Sequence, residues 1–592
     1  MPMRRFINST ALLLLSGLPL RAGQINFVYP AEGGSLPLVP KTFVFGNISP
    51  STAAFTINGE KITVHGNGGF IAYLPVTPGD FSFSGALEDG TTAQRALKVR
   101  QPAETLSSTG ALKLEFTSYS SDSESMAGDY LKITAAGTPS REAVCSLEGV
   151  FDDLRMAEVP AASGRYYASY QLKGSDRGET GALTARFKAG LFAHGASAKA
   201  RGKVKIARQA ALVETSTDTV ILRNAPDGGY MMFLPKGVKL VSNGRSNGQR
   251  RIALSGDELG WVDDSKVQSL PGAQFPFSYG SETGAIRFKK TQFGSSAAVT
   301  LYERLPYTAE LFPWGLRLTL YYANLHTNTV VYDSADTLVK NVSFRQTAYN
   351  KAEIDFETAP GALWGYNISY PNSSRTLQVD LRARPEAPLA WPRPLSGLTV
   401  VLDPGHSPKF ATPYDGAIGP MGTLEFQVNM ATARKLNEKL SALGALVQMT
   451  RTGDETVALP DRPRIAKELG GDLFISLHNN AIADGEDPFA QPRGFSVYYY
   501  QRYSRQLAAA IHRAYLKNIQ LPDEGLRYGD YLVARMTWMP AALVESAYMI
   551  FPRQEEMLNA PAFQEELADT IAEGVLEFFN VPARTGSAKK VQ

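Results

Sequence analysis

The stretch "RARPEAPLAWPRPLSG", with Pro385, Pro388, Pro392 and Pro394, divides this chain into two grammars. Proline fixes φ and removes a backbone donor, so this run excludes helix and interior strand and leaves a semi-rigid linker over 385–396. Upstream, short runs of two-fold alternation are separated by glycine and proline. Downstream, short apolar strands alternate with helical stretches. At 592 residues the chain is too long for one core, so several domains are expected.

In "KITVHGNGGFIAYLPVTPGDFSFSG", Ile62 and Val64, then Phe70, Ala72 and Leu74, then Phe81 and Phe83 alternate with polar or turn residues. Alternation with turns this close together predicts antiparallel β-sandwich structure. Residues 24–101 resemble bacterial immunoglobulin-like modules, and a second β-sandwich module is expected over 102–207. Residues 208–270 end in "GWVDDSKV" and resemble small bacterial SH3-type barrels, in which Trp261 reads as a core residue. Residues 271–384, with "LRLTLYYANLHT" and "RTLQVDLRARP", form a further β module.

The N-terminal "MPMRRFINSTALLLLSGLPLRAGQ" places Arg4 and Arg5 before an apolar run from Ala11 to Leu20, then Ala22 and Gly23. This reads as a secretory signal peptide over 1–23, with an uncleaved anchor as the alternative. The apolar run is well short of the roughly 20 residues that span a bilayer, so no transmembrane segment is expected after cleavage. Basic residues are scattered and the net charge is only +3, which points to neither nucleic acid nor a polybasic membrane surface. The lone Cys145 has no partner for an internal disulfide. Residues 583–592 read as a flexible tail.

After the linker, "GLTVVL", "DLFISL", "GFSVYYY" and "AALVE" read as buried strands. In "LEFQVNMATARKLNEKLSALG", Val428, Ala431, Leu436, Leu440 and Leu443 approximate one helical face, with Gly444 as the left-handed cap. "PAFQEELADTIAEGVLEFF" starts at Pro561 and repeats Phe563, Leu567, Ile571 and Val575. The expected fold is therefore multidomain: N-terminal all-β modules, then an α/β catalytic domain over 397–582 with a mostly parallel sheet flanked by helices.

Open α/β sheets bind ligands beyond the carboxyl ends of their strands. His406 follows "TVVLDPG", His478 follows "LFISL" and Glu545 ends "AALV", while Glu425 opens the first helix. Two histidines and a carboxylate make a catalytic zinc set, with a second carboxylate free to move protons. Taken singly, each has an ordinary reading: loop histidines as surface groups and Glu425 as a first-turn acid. Glu545 is the exception, since an unpaired carboxylate at the end of an apolar run is costly to bury. His65, His194, His326 and His512 are assigned to structure.

The pieces "VVLDPGHS", "DGAIGPMGTLEFQVN", "VQMTRTGDETVALPDRPRIA", "DLFISLHNN", "GFSVYYY" and "ALVESAYM" resemble, in order and spacing, the zinc-dependent N-acetylmuramoyl-L-alanine amidase family of the amidase_3 type. The resemblance covers roughly 397–580. It implies His406, Glu425 and His478 as ligands to Zn2+ and Glu545 as the catalytic acid/base. It also implies peptidoglycan as substrate, cleaved between the lactyl group of N-acetylmuramic acid and L-alanine, in an exported protein of the periplasm or cell wall. The loop "SPKFATPYDGA" replaces the family's glycine-rich stretch, and the regulatory partner is unknown. Competing expectations are a zinc-dependent cell-wall peptidase and a catalytically inactive wall-binding scaffold. The β modules are expected to position the enzyme on the wall, 271–384 among them. The space between His478 and Glu545 leaves little room for a helix that plugs the site.

Overall fold

The computed structural model describes residues 23–101, 111–176, 180–188, 195–270, 281–371, 374–408 and 415–582. The expected signal peptide up to residue 22, the tail from 583, His194 and most of the loop after His406 lie outside the described residues.

The first region is two sheets packed face to face. Strands Gln24–Tyr29, Lys41–Ser49 and Gly69–Pro75 form one sheet and a five-stranded sheet forms the other. Phe27, Val44, Phe70, Phe83 and Leu97 fill the space between them. The strand Lys41–Ser49 departs from the pattern of a sheet with one wet face: Phe43, Val44 and Phe45 are 2%, 0% and 2% exposed. Something covers its second face.

From Leu114 to Ser269 the ladders are continuous. Strand Ser123–Met126 pairs in parallel with Ser197–Ala207 and meets Lys239–Ser246 at Glu124 and Arg245. In strand Leu259–Asp263 the buried residues are Gly260 and Val262, whereas Trp261 is only half-buried. The core expectation for Trp261 is thereby corrected: strand alternation sends Val262 into the core and turns Trp261 to the other face. Val220, Leu240 and Val262 share one apolar cluster with Val299, Leu318, Phe356 and Val379 of the next region. That region pairs its strands into two further sheets.

The proline-bearing segment has neither helix nor strand, yet Leu395 is fully buried in the C-terminal core and its amide donates to Leu443 O at 3.0 Å. The C-terminal region carries β1 (Thr399–Pro404), α1 (Glu425–Ala442), β2 (Leu446–Met449), α2 (Asp461–Glu468), β3 (Leu473–Asn480), β4 (Phe495–Tyr499), α3 (Arg505–Asn518), β5 (Asp523–Tyr528), β6 (Ala541–Tyr548), α4 (Pro552–Asn559) and α5 (Pro561–Phe578). The sheet order is β2-β1-β3-β6-β4-β5. Strands β1, β2, β3 and β6 run in parallel, and β4 enters antiparallel to β6 with β5 parallel to it. On α5, Phe563, Leu567, Ile571 and Val575 are all buried, as their spacing predicts. On α1 the stripe is Val428, Ala433, Leu436 and Leu440, shifted from the expected Ala431 and Leu443; Glu425 is buried one turn before it and Asn429 beside it. Among the described residues, no helix is long and apolar enough to cross a membrane.

The amino ends of β3 and β6 rest on the last upstream β region. Trp364 donates from Nε1 to Asp472 O at 2.8 Å and its ring meets Phe578 and Phe579 of the C-terminal core. Arg382, 3% exposed at its side chain, is ion-paired with Asp472. The carboxyl ends of the strands, where a ligand is expected, lie at the other edge.

Candidate metal centre

The turn that ends β1 is held by buried charge. Asp403, fully buried, accepts from Thr450 Oγ1 at 2.5 Å, from Arg462 Nη1 at 2.7 Å and from Ser476 Oγ at 2.7 Å. Burial alone would raise its pKa, but the Arg462 charge and the two hydroxyls more than offset this and keep it below the usual carboxylate value. Arg451, 1% exposed, donates to the carbonyls of Pro404, Gly405 and Phe426 at 3.0, 3.3 and 2.7 Å. Arg462 adds bonds to Pro404 O at 3.0 Å and His406 O at 2.9 Å. With carbonyls fixed on both sides, His406 sits at φ +59°, a left-handed conformation costing roughly 1–3 kcal/mol in a residue with a side chain.

Glu425, 2% exposed, lies between both histidines. Its Oε2 accepts from the Ala417 amide at 2.8 Å and is 3.2 Å from His406 Nε2. Its Oε1 accepts from the Asn479 amide at 3.0 Å and from Asn429 Nδ2 at 3.3 Å, and is 3.2 Å from His478 Nδ1. Burial works against the charge of Glu425, but the two imidazoles win and hold its pKa far below the carboxylate range. Burial likewise works against His406⁺, and Glu425 and then Asp415 reverse it, so that His406 is raised above the ordinary imidazole value. Asp415 Oδ1 stands 3.4 Å from His406 Nδ1, which leaves Nε2 for the centre.

Close approach requires glycine at two points. A Cβ on Gly405 would lie 2.3 Å from the His478 ring, and one on Gly416, at φ +85°, would lie 2.6 Å from Glu425 Oε2 and 2.7 Å from the His406 ring. One donor atom from each of His406, Glu425 and His478 falls within 4.8 Å of the others. A tetrahedral ion with bonds of about 2.0–2.1 Å sets its ligands about 3.3 Å apart. The 3.2 Å gaps from His406 Nε2 and His478 Nδ1 run to different oxygens of Glu425, so each imidazole is near that separation from one carboxylate oxygen, and the N2O donor set suits zinc.

Glu545 is brought to the same place by the ladder: it pairs with His478 across β3 and β6 and with Ser496 across β6 and β4. Its Oε2 is buried with no hydrogen-bond partner. Burial, then the nearby charge of Glu425, pushes its pKa well above the ordinary value. Residues 480–544 contribute nothing to the donor group, and α3 is the helix expected there. His512 bonds Asp523 at 2.8 Å, His65 bonds Glu556 at 2.8 Å and His326 lies 3.9 Å from Glu282, all away from the donor group. Asp403, Asp415, Arg451 and Arg462 were not singled out by sequence. The one signal for the two arginines was their place inside the quoted "TRTGD" and "DRPR" stretches.

Residues 400–577 match the family described as N-acetylmuramoyl-L-alanine amidase, Amidase_3. The probable cell wall amidase LytH of Staphylococcus epidermidis is 33% identical over 187 residues, 32% of this chain and 60% of that protein. The N-acetylmuramoyl-L-alanine amidase LytC of Bacillus subtilis is 31% identical over 190 residues, 31% of this chain and 36% of that protein. Among solved structures, the N-acetylmuramoyl-L-alanine amidase AmiC2 of Nostoc punctiforme is 32% identical, with a TM-score of 0.29 over 31% of this chain and 99% of that one. The chain thus spans 60% or less of the length of these two curated relatives.

Proposed function

Because residues 400–577 belong to the N-acetylmuramoyl-L-alanine amidase family, we propose that this chain hydrolyses the amide between the lactyl group of N-acetylmuramic acid and the L-alanine of the peptidoglycan stem peptide. The observation that carries the reading is the pairing of a partnerless buried carboxylate, Glu545, with a compact group of two imidazoles and one carboxylate. His406, Glu425 and His478 would hold Zn2+, which when bound supplies a polarising charge and lowers the pKa of water toward about 7.

The chain's own residues do the rest. Asp415 and the Arg451 and Arg462 contacts keep His406 turned so that Nε2 faces inward. Glu425 places its negative charge between the two rings and so offsets part of the charge of a bound cation. Glu545, whose pKa is raised by burial and by the nearby charge of Glu425, accepts a proton from the attacking water and returns it to the departing alanine nitrogen. The carbonyl carbon gains a C–O bond and loses its C–N bond, which leaves a lactyl carboxylate and a free amine. Around this domain we read 24–101 as immunoglobulin-like, 102–207 as a second β-sandwich and 208–270 as SH3-like. We take 271–384 to be a wall-directed β module and 385–396 a linker. The protein would work in the periplasm or at the wall.

The test is metal analysis of the purified protein together with digestion of peptidoglycan. Free stem peptides beginning at L-alanine, in a zinc-dependent reaction, support the reading. Cleavage within the stem peptide makes the protein a peptidase, and no product from zinc-loaded protein overturns the hydrolytic assignment.

A further inference from the structure

The covered outer face of strand Lys41–Ser49 lies on the C-terminal domain. Phe43, Phe45 and Ile550 form a buried cluster of their own, with Tyr29, Ile71 and Tyr73 of the first module and Ile418, Ile482 and Phe551 packed against it. The rings of Tyr29, Phe43 and Phe45 stack on one another, with centroids 5.0 to 6.3 Å apart. This cluster is separate from the module's own core around Val44 and Phe83. Left uncovered, it would be an aromatic patch of the kind soluble domains rarely expose.

Polar contacts pin the same face to three segments, each next to a residue of the centre. On the loop before Glu425, Asn47 Nδ2 donates to Pro420 O at 2.7 Å. On the loop after His478, Tyr73 OH donates to Gly485 O at 2.9 Å and Tyr29 OH bonds Asp484. On the segment after Glu545, His65 Nε2 is 2.8 Å from Glu556 Oε2 and Asn67 Nδ2 is 3.5 Å from Pro552 O. The first of these segments matters most. Ile418, which packs on the aromatic face, follows directly on Ala417, whose amide donates to Glu425 Oε2 at 2.8 Å. From its other side the loop is held by Glu555, which accepts from the Met421 and Thr423 amides at 2.9 and 3.2 Å.

We propose that the first β module is a positioning element of the metal centre, its Phe43–Phe45 face and Asn47 fixing the 417–420 loop and through it the carboxylate of Glu425. The proposal rests on the donor-group reading above. It gives the module a task beyond placing the enzyme on the wall: Glu425 is oriented partly from outside its own domain.

The test uses the full chain carrying Phe43→Ala with Phe45→Ala, titrated with zinc against a chelating dye and assayed for kcat and KM on soluble muropeptide. Outer partners of metal ligands typically affect affinity by about 10–100-fold, so zinc affinity should fall about tenfold and kcat should fall with it while KM stays within about twofold. Phe45→Leu, which keeps most of the apolar volume, should restore zinc affinity to within about twofold of the parent. Hydrogen exchange over strands Gly79–Leu87 and Thr92–Val99, which lie in the other sheet, reports whether the module itself stays folded. If it does not, Asn47→Ala carries the test, and a loss of about threefold or more in zinc affinity supports the proposal. Unchanged zinc affinity in a folded double variant, or in Asn47→Ala, overturns it. Because zinc titration needs no substrate, a parent chain that releases no stem peptide would overturn the amidase reading while leaving this one testable.

Discussion

Replacing Glu545 by glutamine should slow hydrolysis and at the same time stabilise the metal-free protein. A general acid/base contributes a factor of about 100 to 10,000, which corresponds to about 3–5 kcal/mol in the barrier. The stability effect comes from the other side of the same environment. Oε2 has no hydrogen-bond partner, and burial and then Glu425 push the carboxyl above its ordinary value of 4.5. An acid whose pKa is higher folded than unfolded penalises the folded state above its unfolded pKa, and the penalty disappears below it, where both states are protonated. The group escapes any larger penalty by taking up a proton, so the ceiling at pH 7 is the cost of protonating an acid of pKa 4.5, about 3.4 kcal/mol. Glutamine removes the charge but buries an amide donor, which costs about 1–2 kcal/mol if it finds no partner. The net gain expected at pH 7 is about 1–2 kcal/mol, each kcal/mol moving Tm by roughly 2–4 °C for a domain of this size. The assay is thermal unfolding of both chelator-stripped proteins at pH 7 and pH 4, beside turnover of the zinc-loaded forms. The variant should be the more stable at pH 7 and the less stable, by about 1–2 kcal/mol, at pH 4, where the carboxylate penalty has gone and the cost of the buried amide remains. A variant less stable at pH 7, or one with the same gain at both pH values, would refute the account of a strained carboxylate, and normal turnover would remove Glu545 from proton transfer.

Three further outcomes are expected. Glu425→Ala should lose zinc and hydrolysis together, and in the metal-free protein it should let His406 titrate at lower pH, because the carboxylate that holds its pKa up is gone; metal content and NMR titration check both. Gly405→Ala should leave the fold intact by circular dichroism but weaken zinc binding about 10–100-fold, since its Cβ would lie 2.3 Å from the His478 ring. Arg382→Met should destabilise the protein by about 3–5 kcal/mol at pH 7 by leaving Asp472 buried without its partner. That loss should shrink as pH falls toward 4, because burial already raises Asp472 and protonation removes the stranded charge; denaturant unfolding across pH measures it.

His406, His478 and Glu545 stood out as polar groups at or just beyond the ends of apolar runs, where strand ends in an α/β sheet are few, whereas Glu425, the first residue of α1, was picked out by the family resemblance. The helices were legible from spacing, as on α5, where one stripe faces one core. What sequence could not assign were residues whose role depends on distant partners. Arg451 and Arg462 look like surface charge until the turn carbonyls they hold are in place. Strands β2 and β5 carry only partly buried or exposed residues, so no apolar run announced them. In "KTFVFGNIS" the run Phe43-Val44-Phe45 breaks two-fold alternation and fits a strand covered on both faces, but nothing local to the strand says what covers the second face. Trp261 went astray for the related reason that alternation alone does not say which of two faces is the inner one.

The contact of Trp364 with Phe578 and Phe579 also bears on the order in which the protein is completed. A ribosome delivers residues at about 5–20 per second, so the tryptophan waits roughly 10–40 seconds for the helix that shelters it. Over that interval the indole lacks the Phe578 and Phe579 rings that cover it, and the emerging chain is open to chaperones and proteases. Synthesis that stops within α5 would therefore leave an unsheltered seam for quality control to find, so that the burial of Trp364 reports whether α5 has been made.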